Sequence, residues 1–112
     1  MSTDENLSVL VVDDEDTSLR AIRRCLEDRG CTVTTVKSAD EAREYQKQRF
    51  DIVIIDGLKG RYTEVYNFVD AGRKIIFSGD NNILEDAKKK GMESYDKLDG
   101  LDQIFEGETK KW

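Results

Sequence analysis

Asp13, Asp14, Asp56, Ser78 and Lys97 are the residues of this sequence whose types and positions could do chemistry. Each stands at or just beyond the end of an apolar run. Val9-Leu10-Val11-Val12 ends in Asp13-Asp14, Ile52-Val53-Ile54-Ile55 ends in Asp56-Gly57, and Ile75-Ile76-Phe77 ends in Ser78-Gly79. A weaker strand, Met92–Asp96, runs into Lys97. Three carboxylates crowded at one edge repel one another and raise one of their pKa values unless a cation intervenes. A hard, oxygen-lined site of this kind suits Mg²⁺, which keeps several waters and takes a phosphate oxygen as a further ligand. A hydroxyl and an ammonium opposite the metal would hold the remaining phosphoryl oxygens, the positioning and charge that phosphoryl transfer requires. Singly these residues have plainer readings: Asp13 and Asp14 as helix caps, Asp56-Gly57 as a turn, Lys97 as a solvated lysine. Their joint placement at successive strand ends favours the chemical reading.

The elements that must position them follow from periodicity. Continuous apolar runs rich in β-branched residues suit strands buried on both faces of a parallel sheet. Cys31–Val36 alternates and reads as a further strand. Between the strands, Leu19, Ile22, Cys25 and Leu26 recur at helical spacing, and Gly30 is a natural stop. Ser38, Asp40 or both open a second helix through Ala42 and Tyr45. A third carries Val65, Phe68 and Val69 and stops near Gly72. A fourth begins around Asp80-Asn81-Asn82 and stops at Gly91, and a short fifth holds Leu101, Ile104 and Phe105. Strict alternation of five strands and five helices predicts right-handed crossovers and a doubly wound parallel α/β sheet. In such a sheet ligands sit outside the carboxyl ends of the strands, so all five polar groups arrive at one edge.

Composition narrows the chemistry. The chain has 112 residues, the length of one domain over residues 1–112 with a core from about 7 to 106. It contains no histidine, which removes a histidine general base, a Ser-His-Asp triad and most zinc chemistry. A net charge of −6 without a basic block argues against nucleic-acid binding. No apolar stretch is long enough to span a bilayer, and Met1 to Asn6 is polar and acidic, unlike a signal peptide; the expectation is a cytoplasmic protein. Cys25 and Cys31 read as reduced core cysteines, Cys25 on the first helix's apolar stripe and Cys31 at a strand start.

With those residues in place, the chain resembles the receiver domain of two-component response regulators, the CheY-like fold. Val9-Leu10-Val11-Val12-Asp13-Asp14-Glu15 is similar to the family's first-strand signature, and Asp51-Ile52-Val53-Ile54-Ile55-Asp56 to the strand carrying the phosphorylated aspartate. Ser78 falls where the family has Thr or Ser, and Gly91 to Tyr95 resembles the approach to the switch aromatic. The resemblance implies a flavodoxin-like sheet of order 2-1-3-4-5. It implies Asp56 as phosphoacceptor, with Asp13, Asp14, Asp56 and the Leu58 backbone carbonyl holding Mg²⁺. Ser78 and Lys97 would bond phosphoryl oxygens, and Tyr95 would rotate inward when Ser78 moves. Leu58 and Asp80 would flank the water that removes the phosphoryl group. The partners implied are a sensor histidine kinase or phosphotransfer protein and a downstream protein target, with the chain a phosphoacceptor and slow autophosphatase and not a turnover enzyme. The alternative is a phosphorylation-independent binding module of the same fold.

The chain departs from the family pattern in three places. Ser78 follows Asp56 by only 22 positions, so the loop and third helix are abbreviated. There is no proline to follow the lysine. Lys97 follows Tyr95 by two positions where three are usual, and a one-residue slip turns a side chain to the other face. Lys97 then reaches the pocket only through a bulge or an irregular strand end.

Overall fold

The structure, a computed structural model, describes residues 6–109. The polar N-terminal residues through Glu5 and the Lys110-Lys111-Trp112 end lie outside the described residues. Strands and helices alternate: β1 (Ser8–Val12), α1 (Asp16–Asp28), β2 (Thr32–Val36), α2 (Ala39–Ala42), β3 (Arg49–Ile55), α3 (Tyr62–Phe68), β4 (Asp70–Ser78), α4 (Asn81–Lys89), β5 (Glu93–Asp96) and α5 (Asp102–Thr109). The five strands form one parallel sheet in the order β2-β1-β3-β4-β5, the doubly wound CheY-like arrangement the sequence predicts.

Strand alternation divides the core in two. Leu10, Val12, Val53, Ile55 and Ile76 face α2, α3 and α4, where Ala39, Ala42, Val65 and Ala87 meet them. Val9, Val11, Ile52, Ile54, Ile75 and Phe77 face the other way, onto Leu19, Ile22 and Leu26 of α1 and Ile104 and Phe105 of α5. Because β1, β3 and β4 are covered on both sides where they approach their C-terminal ends, the runs 9–12, 52–55 and 75–77 are wholly apolar. At the β1 crossover the order reverses, which places the sheet's switch point between the ends of β1 and β3.

Two expectations are corrected, for the third helix and for Cys25, and that for the second helix is narrowed. The third helix ends at Phe68 instead of near Gly72, and β4 starts at Asp70, so Gly72 is a strand residue. The reason is pairing: Arg49 and Phe50 register with Asp70 and Ala71, and an ion pair of 2.7 Å joins Arg49 to Asp70. Gly72 fits there because a Cβ would stand 3.3 Å from the Asp51 carbonyl oxygen. The second helix is a single turn over Ala39–Ala42, capped by Ser38 alone, whose hydroxyl accepts the Glu41 N–H, and a 3-10 turn continues to Tyr45. Asp40 instead pairs with Arg61. Cys25 is exposed, because the buried stripe of α1 is Leu19, Ile22 and Leu26 and Cys25 stands at its margin; Cys31 is buried as expected.

These burials set a stability contrast. Leu10→Ala, in the interior strand β1, should cost about 2–5 kcal/mol of unfolding free energy. Cys25→Ser should stay within about 0.5 kcal/mol. Urea titration followed by circular dichroism measures both, and a comparable loss from Cys25→Ser would put that side chain back in the core.

Candidate functional site

The sheet ladder runs one residue past β1 and β3. The Asp13 N–H donates to the Val36 carbonyl at 3.1 Å and the Asp56 N–H to the Val12 carbonyl at 2.8 Å. Both carboxylates are thereby fixed at the sheet edge. Asp13 is 1% exposed, Asp56 is half-buried, and Asp14 is exposed at the start of the β1–α1 loop. One oxygen from each of the three lies within 4.8 Å of the others, so the structure brings Asp13, Asp14 and Asp56 into one acidic pocket. Asp13 Oδ1 also accepts the Glu15 N–H at 3.0 Å, which fixes its rotamer.

Lys97 reaches this pocket. Its Nζ lies 2.7 Å from Asp13 Oδ2 and 2.9 Å from Asp56 Oδ1. The slip in spacing is absorbed at the strand end: β5 stops at Asp96, and Lys97 opens a 3-10 turn over Lys97–Asp99. Asp96 Oδ1 accepts the Leu98 N–H at 2.9 Å and holds that turn. Out of the strand, Lys97 is free of alternation. Burial opposes its charge, but the hydrogen bonds and Coulombic pull of Asp13 and Asp56 outweigh burial and raise its pKa above the ordinary lysine value.

Ser78, 3% exposed, ends β4 beside the acids and lines the same cleft of about 350 Å³. Its Oγ accepts the Asp80 N–H at 3.1 Å, which leaves the hydroxyl hydrogen available for donation. Asp80 in turn caps α4 by accepting the Asn82 N–H at 2.9 Å. Gly57, after Asp56, is set by a close approach, since a Cβ would press on the Ile83 side chain at 3.1 Å. The loop then passes through three left-handed residues, Leu58 (φ 50°), Lys59 (φ 55°) and Gly60 (φ 97°). Two of the three carry a Cβ, which costs roughly 1–2 kcal/mol each. The Leu58 carbonyl accepts the Arg61 N–H at 3.1 Å, and the Leu58 N–H lies 3.4 Å from Asp56 Oδ2. Leu58's side chain is buried with the α2–α3–α4 core, so Leu58 borders the cleft as a packing residue, and Leu58→Asn would disturb the core along with any water path.

Tyr95 is not brought to Ser78. It registers with Phe77 on the α1–α5 face, whereas Ser94 registers with Ile76 and shares Ser78's face. The Tyr95 hydroxyl donates to Glu93 Oε2 at 2.6 Å, and Arg73 pairs with the same carboxylate. Three positions before Lys97 stands Ser94, and that count, taken from the lysine instead of from the tyrosine, identifies the residue on the pocket side. The Ser94 Oγ is buried without a partner beside a hollow of about 480 Å³ between α4 and the β5–α5 turn.

Comparison with known proteins agrees with this geometry. A family model of the response regulator receiver domain matches residues 9–58. Over 49 residues the chain is 47% identical to the alginate biosynthesis transcriptional regulatory protein AlgB of Pseudomonas aeruginosa, a stretch that covers 43% of this chain and 11% of that protein. The Pseudomonas syringae pv. tomato protein of the same name is 43% identical over 56 residues, 49% of this chain and 12% of that one. The chain thus spans about a tenth of these relatives. A response regulator receiver protein from Burkholderia phymatum superposes with a TM-score of 0.72 at 28% identity, covering 89% of each chain. A response regulator from Thermotoga maritima gives 0.72 at 23% identity, covering 94% of this chain and 96% of that one. The receiver domain of a sensor histidine kinase from Pseudomonas aeruginosa PAO1, with a magnesium ion coordinated in its active-site cleft, gives 0.63 at 22% identity, over 80% of this chain and 83% of that one.

The Lys97 bridge carries a pH dependence. A lysine whose folded pKa is raised contributes stability that is fully present below its unfolded value, about 10.4, and lost as pH rises through the folded value. The gap in urea midpoint between the intact protein and Lys97→Met should therefore hold up to about pH 10.4 and narrow as pH rises beyond it. Taking the difference cancels groups that titrate alike in both proteins. A gap that stays constant would mean the ammonium is not held by the acids.

Proposed function

We propose that this chain, a response regulator receiver domain by its fold and by the sequence of its first half, accepts a phosphoryl group on Asp56 and serves as a phosphorylation switch. The observation that carries the reading is the half-buried Asp56 carboxylate at the switch point, with Asp13 and Asp14 oxygens within 4.8 Å and the Lys97 ammonium at 2.9 Å. An oxyanion placed there meets a cation, a hydroxyl and a pair of metal-binding acids at once.

The donor set fits a divalent cation. Asp13, Asp14 and Asp56 offer hard oxygens, and the Leu58 carbonyl, with one lone pair on the Arg61 N–H, keeps a second. Bound Mg²⁺ would neutralise charge on the phosphoryl oxygens as they approach the acids. The chain's own residues do the rest. An Asp56 carboxylate oxygen bonds to phosphorus while the bond from phosphorus to the donor's imidazole nitrogen breaks, and the electron pair leaves with that nitrogen. Lys97, already tied to Asp56, moves with its hydrogen bond to a phosphoryl oxygen, and Ser78 donates its hydroxyl hydrogen to another. The phosphodonor is a histidine kinase or phosphotransfer protein, consistent with the absence of histidine here. Output passes to a protein partner, within a cytoplasmic two-component pathway. Among the described residues no helix is long and apolar enough to cross a membrane.

Two measurements test the reading. With Mg²⁺ and a small phosphodonor such as phosphoramidate, the intact protein should gain one base-labile phosphoryl group by mass spectrometry, and Asp56→Asn should gain none. Label that persists on another residue sinks the assignment, and no label at all favours the phosphorylation-independent module.

Metal binding is checked separately. Millimolar Mg²⁺ should raise the melting temperature by mass action, and Asp14→Ala, which removes an exposed ligand without touching the core, should abolish the gain. A melting temperature unmoved by Mg²⁺ in the intact protein counts against the metal site.

A further inference from the structure

We infer that Lys59 is a second phosphate-binding cation, bordering the acid cleft that Lys97 also lines; the inference rests on the reading of Asp56 as phosphoacceptor. The cleft's lining includes two cations, Lys59 and Lys97, among the carboxylates Asp14, Glu15, Asp56 and Asp80. Lys97 is committed to Asp13 and Asp56. Lys59 is exposed, and among the described residues no carboxylate engages its ammonium. The neighbouring cations are otherwise occupied: Lys37 pairs with Asp16 at 2.6 Å, and Arg61 with Asp40 and Glu64 at 3.0 and 2.8 Å.

The backbone explains why an unpaired lysine stays at this spot. Lys59 lies between left-handed Leu58, whose side chain is anchored in the core, and left-handed Gly60, and the Gly60 N–H donates to the Gly57 carbonyl at 2.9 Å. The turn is thus pinned at both ends, and the lysine's root borders both the acid cleft and the smaller hollow beside it. A cation held there attracts a phosphoryl dianion and repels Mg²⁺, so its removal should move the two affinities in opposite directions. Unfolding or loosening of the loop would weaken both.

The test uses the intact chain, Lys59→Met and Lys59→Arg. Mg²⁺ alone is titrated first, then beryllofluoride at saturating Mg²⁺, each followed by NMR shifts around Ser78. Lys59→Met should bind beryllofluoride about threefold to tenfold more weakly and Mg²⁺ about twofold to threefold more tightly, the range expected for one charge near a solvated cleft. Lys59→Arg should restore both, and the Lys59→Met effect on beryllofluoride should shrink in high salt. If both affinities stay put, or fall together, Lys59 is a surface lysine and the inference is overturned. If the intact chain binds Mg²⁺ but no beryllofluoride, the phosphoacceptor reading itself fails and carries this inference with it.

Discussion

A buried carboxylate without a cation is the most expensive arrangement this fold could contain. Asp13, at 1% exposure, is such a group, and the ammonium of Lys97 is its answer. The bridge also reaches Asp56, so one lysine ties the end of β5 to the ends of β1 and β3 across β4. The turn after β5 and the exposure of Asp14 keep three carboxylates close while leaving one side open. Lys97 satisfies two of them, and the third faces water where an ion can enter. The site is thus only partly compensated at rest and remains short of positive charge.

The abbreviated side of the molecule is held by a different device. A helix as short as α2 or α3 has little intrinsic stability and depends on tertiary contacts. Here those contacts pair cations with aromatic faces: Arg43 over Phe68 at 4.7 Å, Lys74 over Tyr66 at 5.0 Å and Lys90 over Tyr62 at 5.5 Å. Tyr62 also bonds Asp86, which Lys90 meets at 2.7 Å, so α3 is clamped to α4 through a buried ring with a polar tip. Each such contact contributes about 0.5–1 kcal/mol, and together they replace turns of helix the chain lacks. The clamp keeps α4 against the loop that carries Leu58 and Lys59.

The sheet was the most legible part, because apolar runs such as Val9 to Val12 and Ile52 to Ile55 can be covered on both faces in few other ways. The acids were legible for the same reason, since a polar residue ending such a run has only the sheet edge to occupy. The start of β4 was not: Asp70, Arg73 and Lys74 look like loop, and only their partners on β3, Tyr66 and Glu93 make them strand. Cys25 was misjudged because an apolar stripe read at three- and four-residue spacing has a margin, and a small side chain at the margin is exposed. Strand parity sets Tyr95 and Ser94 on opposite faces, and the aromatic ring was the more conspicuous of the two neighbours. Lys97 escaped strand parity altogether, since a residue in a turn points where the turn sends it.

The hydrogen bonds around Ser78 set the stiffness of the coupling between pocket and surface. Ser78 Oγ holds the Asp80 N–H, and Asp80 holds the first turn of α4, so two bonds and five residues separate a buried hydroxyl from a surface helix. With Ser94 in the place a bulky ring could have filled, no side chain stands between them as a piston. A displacement of that hydroxyl would instead pass along the main chain, as a change in where α4 begins. A partner that reads α4 would then sense a shift in the origin of a helix and not the appearance or disappearance of a side chain.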